Sequence, residues 1–474
     1  MNTPTSSRCP FHAEPPSAPV ERHPPGVWPP GPPAGLLGWG LLRSMARDLP
    51  STLADWQRTY GDVVHLHIRP EHVIGVTDPA LVRELLVTHH TSLIRWERGI
   101  GVFREVHGHS VLVAEGEAWR SKRHALQPGF APKPVEAFVP AIAAVTEQTL
   151  AAWPVGNPDW PIESALTSLA MDVIVRMLFS QAIGDDARVA EQAVRTTSEA
   201  ANAEFYALVS GPDWLPWKRA KREAVAALKN LIDRHLQMRL RVPEEQWPDD
   251  LLTRLLRLHR DAPQAWPLQA IRDECMTIFL AGHETSAATL TWWAWCMASN
   301  PEAQAIARDE INRVLQGRLP EAGMLGSLRW LKQTIEETLR LYPAAPLLIS
   351  RRTTQPVALG AWQFPARTLF MLPVQVMHHD ARWFPEPERF LPQRFAADAP
   401  PIPRGAWLPF GAGPRVCLGQ HLAMNEMMVI AAMVLQQFVL EVPAGAAAPR
   451  PVLNITLRPD RAVRLGVKRI EAQR

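Results

Sequence analysis

Apolar residues recur every three to four positions along most of the chain, a spacing that predicts a mainly α-helical protein. The pattern dominates from Leu53 onward. It predicts helices over 118–125, 135–151, 162–179, 187–200, 218–241, 268–299, 301–315, 331–341 and 418–438. Strand-like alternation is local. Residues 63–68 and 72–76 read as a short hairpin, and further strand-like pieces cluster between Leu347 and Leu372 and near the C-terminus. Residues 1–33 break both periods. They are rich in Pro and Ser and read as an extended or disordered arm that wraps a single domain spanning 34–474.

With 474 residues and 47% hydrophobic composition, the chain can bury a large core. A formal net charge of +3 is too small to argue for nucleic-acid binding. Cys9, Cys275, Cys296 and Cys417 lack paired spacing, so no disulfide framework is expected, which suits a reducing cytoplasm. The N-terminus lacks the basic and apolar regions of a signal peptide. No apolar run reaches the roughly 20 residues a bilayer span requires. The segment from Leu36 to Leu42 could rest on a surface without crossing it. Cys9 and His12 have CxxH spacing, which reads as coincidence in a flexible tail.

The chemistry concentrates in five places. Cys417 lies in the loop Phe410-Gly411-Ala412-Gly413-Pro414-Arg415-Val416-Cys417-Leu418-Gly419, just before a long apolar helix. A thiolate is a strong soft ligand for iron. A helix N-terminus and a nearby cation should both lower the thiol's pKa, and glycines should let backbone N–H groups reach the sulfur. Ala281-Gly282-His283-Glu284-Thr285 sits within the longest apolar helix. Gly282 should let a ligand lie against the helix, and Thr285 should bond the Ala281 carbonyl and locally open the turn. Glu284 beside Thr285 forms an acid–alcohol pair suited to moving protons, or else a solvated polar face.

Glu337 and Arg340, three apart, share one helix face, and Arg394 is a candidate third member of a buried network. Trp119 and Arg123 lie one turn apart. With Arg415, and Arg351 in preference to Arg352, they could meet an anionic cofactor. Two other readings fail. Ala287 occupies the second histidine position of a zinc HExxH motif, and Val416 replaces the third glycine of a dinucleotide GxGxxG.

Taken in order, Trp119-x-x-x-Arg123, Ala281 to Thr285, Glu337-x-x-Arg340, Pro392 to Phe395 and the cysteine loop resemble the cytochrome P450 superfamily of haem-thiolate monooxygenases. The resemblance implies a helical prism around a long central helix, with small β-sheets. It implies haem b with Cys417 as proximal iron ligand. Phe410, Gly411, Gly413, Gly419 and Ala281 would lie against the cofactor, and Trp119, Arg123, Arg351 and Arg415 would hold its propionates. Glu337, Arg340 and Arg394 would brace the loop, while Glu284 and Thr285 would deliver protons for dioxygen activation. Gln393 stands where many members carry Glu.

The implied reaction inserts one oxygen atom of O2 into a lipophilic molecule. No ferredoxin or flavin domain is read between the haem region and Arg474, so electrons are expected from a separate ferredoxin or flavodoxin and reductase. The expected form is a soluble, cytoplasmic monomer of bacterial type. An isomerase or peroxygenase is the alternative within enzymes, and a non-catalytic haem sensor the alternative outside them. The pocket is expected from 92–111, 201–217, 278–281 and 345–349, with Phe205, Tyr206, Leu208, Trp214, Leu215 and Trp217 as apolar lining.

Overall fold

The computed structural model describes residues 23–154, 156–182, 184–206 and 214–470, and only the backbone of Asp185 and Tyr206. Helices build most of it. Those that position the site are α1 (Trp39–Arg47), α2 (Leu49–Tyr60), α3 (Glu97–His107), α4 (Gly116–Leu126), α5 (Ile162–Phe179) and α6 (Ala187–Tyr206). They continue with α7 (Arg219–Leu240), α8 (Leu251–Asp261), α9 (Leu268–Ser299), α10 (Arg329–Leu341) and α11 (Gln420–Gln437).

The 32-residue α9 is the axis of the molecule. It is apolar all round, as a helix enclosed by others must be. Leu290, Trp293, Met297 and their neighbours join one large core that also takes in α5, α8, α10 and α11. Gly282 was expected to admit a ligand, and here the structure differs. A Cβ at Gly282 would come within 2.8 Å of Ile174 Cδ1, so the glycine serves close packing of α9 on α5. Nor does Thr285 open the helix: α9 is continuous from Leu268 to Ser299.

The principal sheet has five strands: β1 (Val63–Ile68), β2 (Glu71–Val76), β3 (Leu93–Arg95), β4 (Leu348–Thr353) and β5 (Leu369–Leu372). Their spatial order is β1-β2-β5-β4-β3, with β2 and β5 parallel and the other pairs antiparallel. Smaller sheets join Asn157–Pro161, Arg464–Arg469 and Phe438–Glu441, and pair Pro451–Asn454 with Thr456–Pro459.

The expected helix at 135–151 is divided. Pro132–Glu136 forms one turn and Val139–Ala151 a second helix, because Pro140 suits a helix N-terminus and not an interior. Helices α1, α2, α3 and α8 were not among the expected helix ranges. α3 contains two glycines that dilute its apolar stripe, and α8 is rich in Arg. Residues 1–22, including Cys9 and His12, lie outside the described residues. The remainder of the proline-rich arm lies along the sheet.

Candidate active site

The cysteine loop is a turn held by backbone bonds. Cys417 N–H donates to the Phe410 carbonyl at 2.9 Å, and Gly411 N–H donates to Leu408 at 3.1 Å. Gly411 and Gly413 both have φ of +72°, a region costly for other residues. A Cβ on Gly413 would also fall 2.2 Å from the Leu86 carbonyl oxygen. These two glycines therefore shape and seat the loop. Gly419, the residue that caps α11, supplies the backbone N–H to the Cys417 sulfur.

The Cys417 side chain is solvent-accessible, yet protein mass crowds it on most sides. That enclosure is the largest influence and pushes the free thiol above its ordinary value, against the Gly419 N–H and the Arg123 charge. The expected lowering is thus outweighed by desolvation.

Arginines surround the loop. Arg123 donates to the Val416 carbonyl at 2.8 Å. Arg415 places its guanidinium 4.1 Å from the Trp119 ring centroid, bonds the Ala114 carbonyl at 3.3 Å and pairs with Glu115. Burial and the neighbouring Arg95 push Arg415 down to about 9. Arg351 is 9% exposed and lines a cavity with Trp119, Glu115, Ala412 and Arg415. Among the described residues no carboxylate comes within ion-pair distance of it. Burial, then Arg95, lowers Arg351 to about 10. Arg352 turns away and is satisfied by Glu71 at 2.8 Å and Glu97 at 2.6 Å.

Sequence reasoning missed Arg95 and Glu115. Arg95 is buried, bonds Glu115 at 2.7 Å through Nε and caps the Leu112 and Ala114 carbonyls. Among the described residues Glu115 is the one carboxylate bonded to members of this group, so Arg95, Arg123, Arg351 and Arg415 leave a net positive charge there. A buried excess of this kind suits an anionic cofactor with two carboxylates.

On α9, Thr285 Oγ1 donates to the Ala281 carbonyl at 2.7 Å, as its spacing predicted. Ala281 is exposed and Thr285 half-buried. Glu284 does not bond Thr285. It is buried and accepts from Arg458 at 2.9 Å, Ser198 at 3.1 Å and Thr456 at 3.2 Å. The acid and the alcohol thus have separate partners.

On α10, Glu337 and Arg340 are fully buried and doubly bonded at 2.8 Å. Arg394 Nε donates to Glu337 at 3.3 Å, and the Leu391 N–H donates to the same carboxylate at 2.9 Å. Arg340 also donates to the His378 carbonyl at 2.8 Å. His378, which sequence reasoning missed, completes the link. Its Nδ1 bonds the Arg340 carbonyl at 3.2 Å, and its Nε2 accepts from the Leu408 N–H at 2.9 Å. Burial holds His378 at about 3, neutral, as that donor–acceptor pattern requires. The network therefore reaches the residue two before Phe410.

A family model described as cytochrome P450 matches residues 29–463. The chain belongs to the cytochrome P450 family. It is 32% identical to cyclooctat-9-en-7-ol 5-monooxygenase of Streptomyces melanosporofaciens, over 86% of this chain and 89% of that one. It is 30% identical to cytochrome P450 734A4 of Oryza sativa subsp. japonica, covering 85% and 81%. It is 29% identical to cytokinin hydroxylase of Arabidopsis thaliana, covering 88% and 82%. The mainly helical fold with small sheets agrees with the family, and so does an oxygen-incorporating oxidoreductase that uses haem iron.

The lid of this P450 departs from expectation. Trp214 and Trp217 are 73% and 74% exposed and turn to solvent. Phe205 packs inward against Trp96 and Phe103. Leu208 and the Tyr206 side chain lie outside the described residues. Ile278 lines a separate cleft with Phe130, Leu251 and Leu255. Among the described residues, no helix is long and apolar enough to cross a membrane.

Proposed function

We propose that this P450 holds haem b through Cys417 and hydroxylates a lipophilic substrate within one domain spanning 34–474. The observation that carries the reading is the cluster of Arg95, Arg123, Arg351 and Arg415 beside the Cys417 loop, with Glu115 the one carboxylate paired to it among the described residues. The two propionates of haem b would supply the negative charge this cluster lacks. Arg351, Arg415, Arg123 and Trp119 would hold them, and Phe410, Gly411, Gly413, Gly419 and Ala281 would lie against the macrocycle. When bound, the haem supplies the power to activate dioxygen, and thiolate ligation favours O–O cleavage.

The chain's own residues do the rest. Thr285 presents a hydroxyl on the exposed stretch of α9, where it can hold or pass a proton. Glu284 must exchange its Arg458 partner before it can resupply that proton. Glu337, Arg340, Arg394 and His378 would keep the cysteine loop in register. The substrate would be a lipophilic alcohol or hydrocarbon, in keeping with the inward packing of Trp96, Phe103 and Phe205 and with the named substrate of the Streptomyces relative. Electrons would arrive from a separate ferredoxin or flavodoxin with its reductase. The reading retains the expectation of a cytoplasmic monomer.

The test is a spectral titration of the purified holoenzyme with a ligand panel, followed by product analysis with NAD(P)H and a reductase system. Spin-state shifts with apolar ligands and a hydroxylated product are expected. Binding of small charged ligands alone would sink the substrate class. Full turnover by Thr285→Ala without any reductase would favour a peroxygenase or isomerase.

A further inference from the structure

Residues 23–38 reach α1 without forming helix or strand, and they run beside β1, the edge strand of the main sheet. The contact is built. His65 N–H donates to the Pro30 carbonyl at 3.0 Å, and Arg69 N–H to the Leu37 carbonyl at 3.2 Å. A Cβ on Gly31 would fall 1.9 Å from the His65 carbonyl oxygen, so the backbones approach as closely as glycine allows. Further out, His23 N–H donates to the Ala361 carbonyl at 2.8 Å, and its ring stacks on Trp362 at 4.1 Å.

Trp28 is the centre of this contact. Its indole lies flat on two imidazoles, 4.3 Å from His72 and 4.6 Å from His65, with interplanar angles of 7° and 14°. His67 continues the stack, 4.5 Å from His72. His65 Nε2 and His72 Nδ1 are 2.9 Å apart. That distance holds one proton between two nitrogens. With both rings fully protonated, two N–H groups would face each other with no acceptor.

We propose that His65 and His72, clamped under Trp28, form an acid-released latch holding the proline-rich arm on the sheet edge.

The charge setting favours the neutral pair. Residues 24–38 carry no charge. Phe364, behind Trp28, is apolar. His72 opposes protonation of His65, His67 opposes it on both rings, and Glu71 favours it on His72. Glu71 is itself paired with Arg352. Burial holds His65 down to about 4, and burial followed by His67 lowers His72. The docked values lie below the ordinary histidine value of about 6.5. Docking is therefore strongest above that value and weakens as pH falls towards about 4. Release would bare the N–H and C=O groups of β1, an edge such arms ordinarily cover.

The full chain tests this through Trp fluorescence, since a protonated imidazole against an indole alters its emission. The wild-type signal minus that of Trp28→Phe should show a transition between about pH 6.5 and pH 4.5, while far-UV circular dichroism stays constant. His65→Gln remains neutral and can still donate to His72. It should shift the midpoint by at least one pH unit or abolish the transition, and His72→Gln should do the same. Amide exchange at 64–69, corrected for intrinsic rates, should accelerate across the same window in wild type. A flat difference signal in folded wild type would overturn the latch. So would an unchanged transition in both glutamine variants, or one coincident with loss of circular dichroism.

Discussion

The Cys417 thiol is pushed up, not down, by its own surroundings. One N–H bond and one guanidinium do not offset the protein mass crowded around the sulfur, so under the proposed haem ligation the iron would have to stabilise the thiolate. Cys417→Ser should lose the thiolate–haem carbon monoxide spectrum and hydroxylation together; keeping both would refute the ligand assignment. Arg351 makes an opposite-signed pair of expectations. It is a buried cation without a carboxylate partner among the described residues, which is costly to the haem-free protein. Arg351→Leu should leave the haem-free form as stable as wild type or up to about 1–4 kcal/mol more stable. The same change should lower haem retention at least severalfold. Thermal melting and haem titration read the two effects separately.

Among elements, the seam between α10 and the segment from His378 to Leu408 has the most at stake. Glu337, itself fully buried, accepts from the buried Arg340 and from the half-buried Arg394 and Leu391 N–H. Glu337→Ala would leave Arg340 buried and unpaired, at a cost of about 3–5 kcal/mol. Chemical denaturation should show that loss, along with poor haem incorporation. A cost below about 1 kcal/mol, the range of exposed pairs, would mean the network is dispensable. The α9–α5 contact is milder. Gly282→Ala gains helix propensity of about 1 kcal/mol but presses on Ile174. Net destabilisation is expected, relieved by Ile174→Val; no change in the melting curve would place the glycine's role elsewhere.

At the scale of the whole molecule, Glu426 ties two helices together and makes stability pH-dependent. It lies on α11, 4% exposed, and accepts from Ser286 of α9 at 2.7 Å, while its Oε1 has no hydrogen-bond partner among the described residues. Burial pushes it up to about 8. Its folded value exceeds its unfolded one, so its contribution is fully present at acid pH and is lost as pH rises towards about 8. Glu426→Gln keeps an acceptor for Ser286 without the titration. It should match wild type near pH 4.5 and exceed it by a few kcal/mol near pH 8. Equal melting temperatures at both pH values would contradict this.

Sequence alone determined the helical class, most long helices, the hairpin at 63–68 and 72–76, and the motif residues. Each rests on local spacing: an apolar period of 3.6, a Glu-x-x-Arg on one helix face, a thiol beside glycines. Tertiary structure decided what those residues meet. Arg95, Glu115 and His378 belong to no motif, and they join the others through contacts between distant segments. The same is true of Arg352 being spent on Glu71 and Glu97 while Arg351 lacks a carboxylate, and of Glu284 being held by Arg458. Spacing along a chain specifies which face a side chain leaves from. Desolvation and pairing depend on what arrives from elsewhere, and those terms set the acidity of Cys417 and the charge around it.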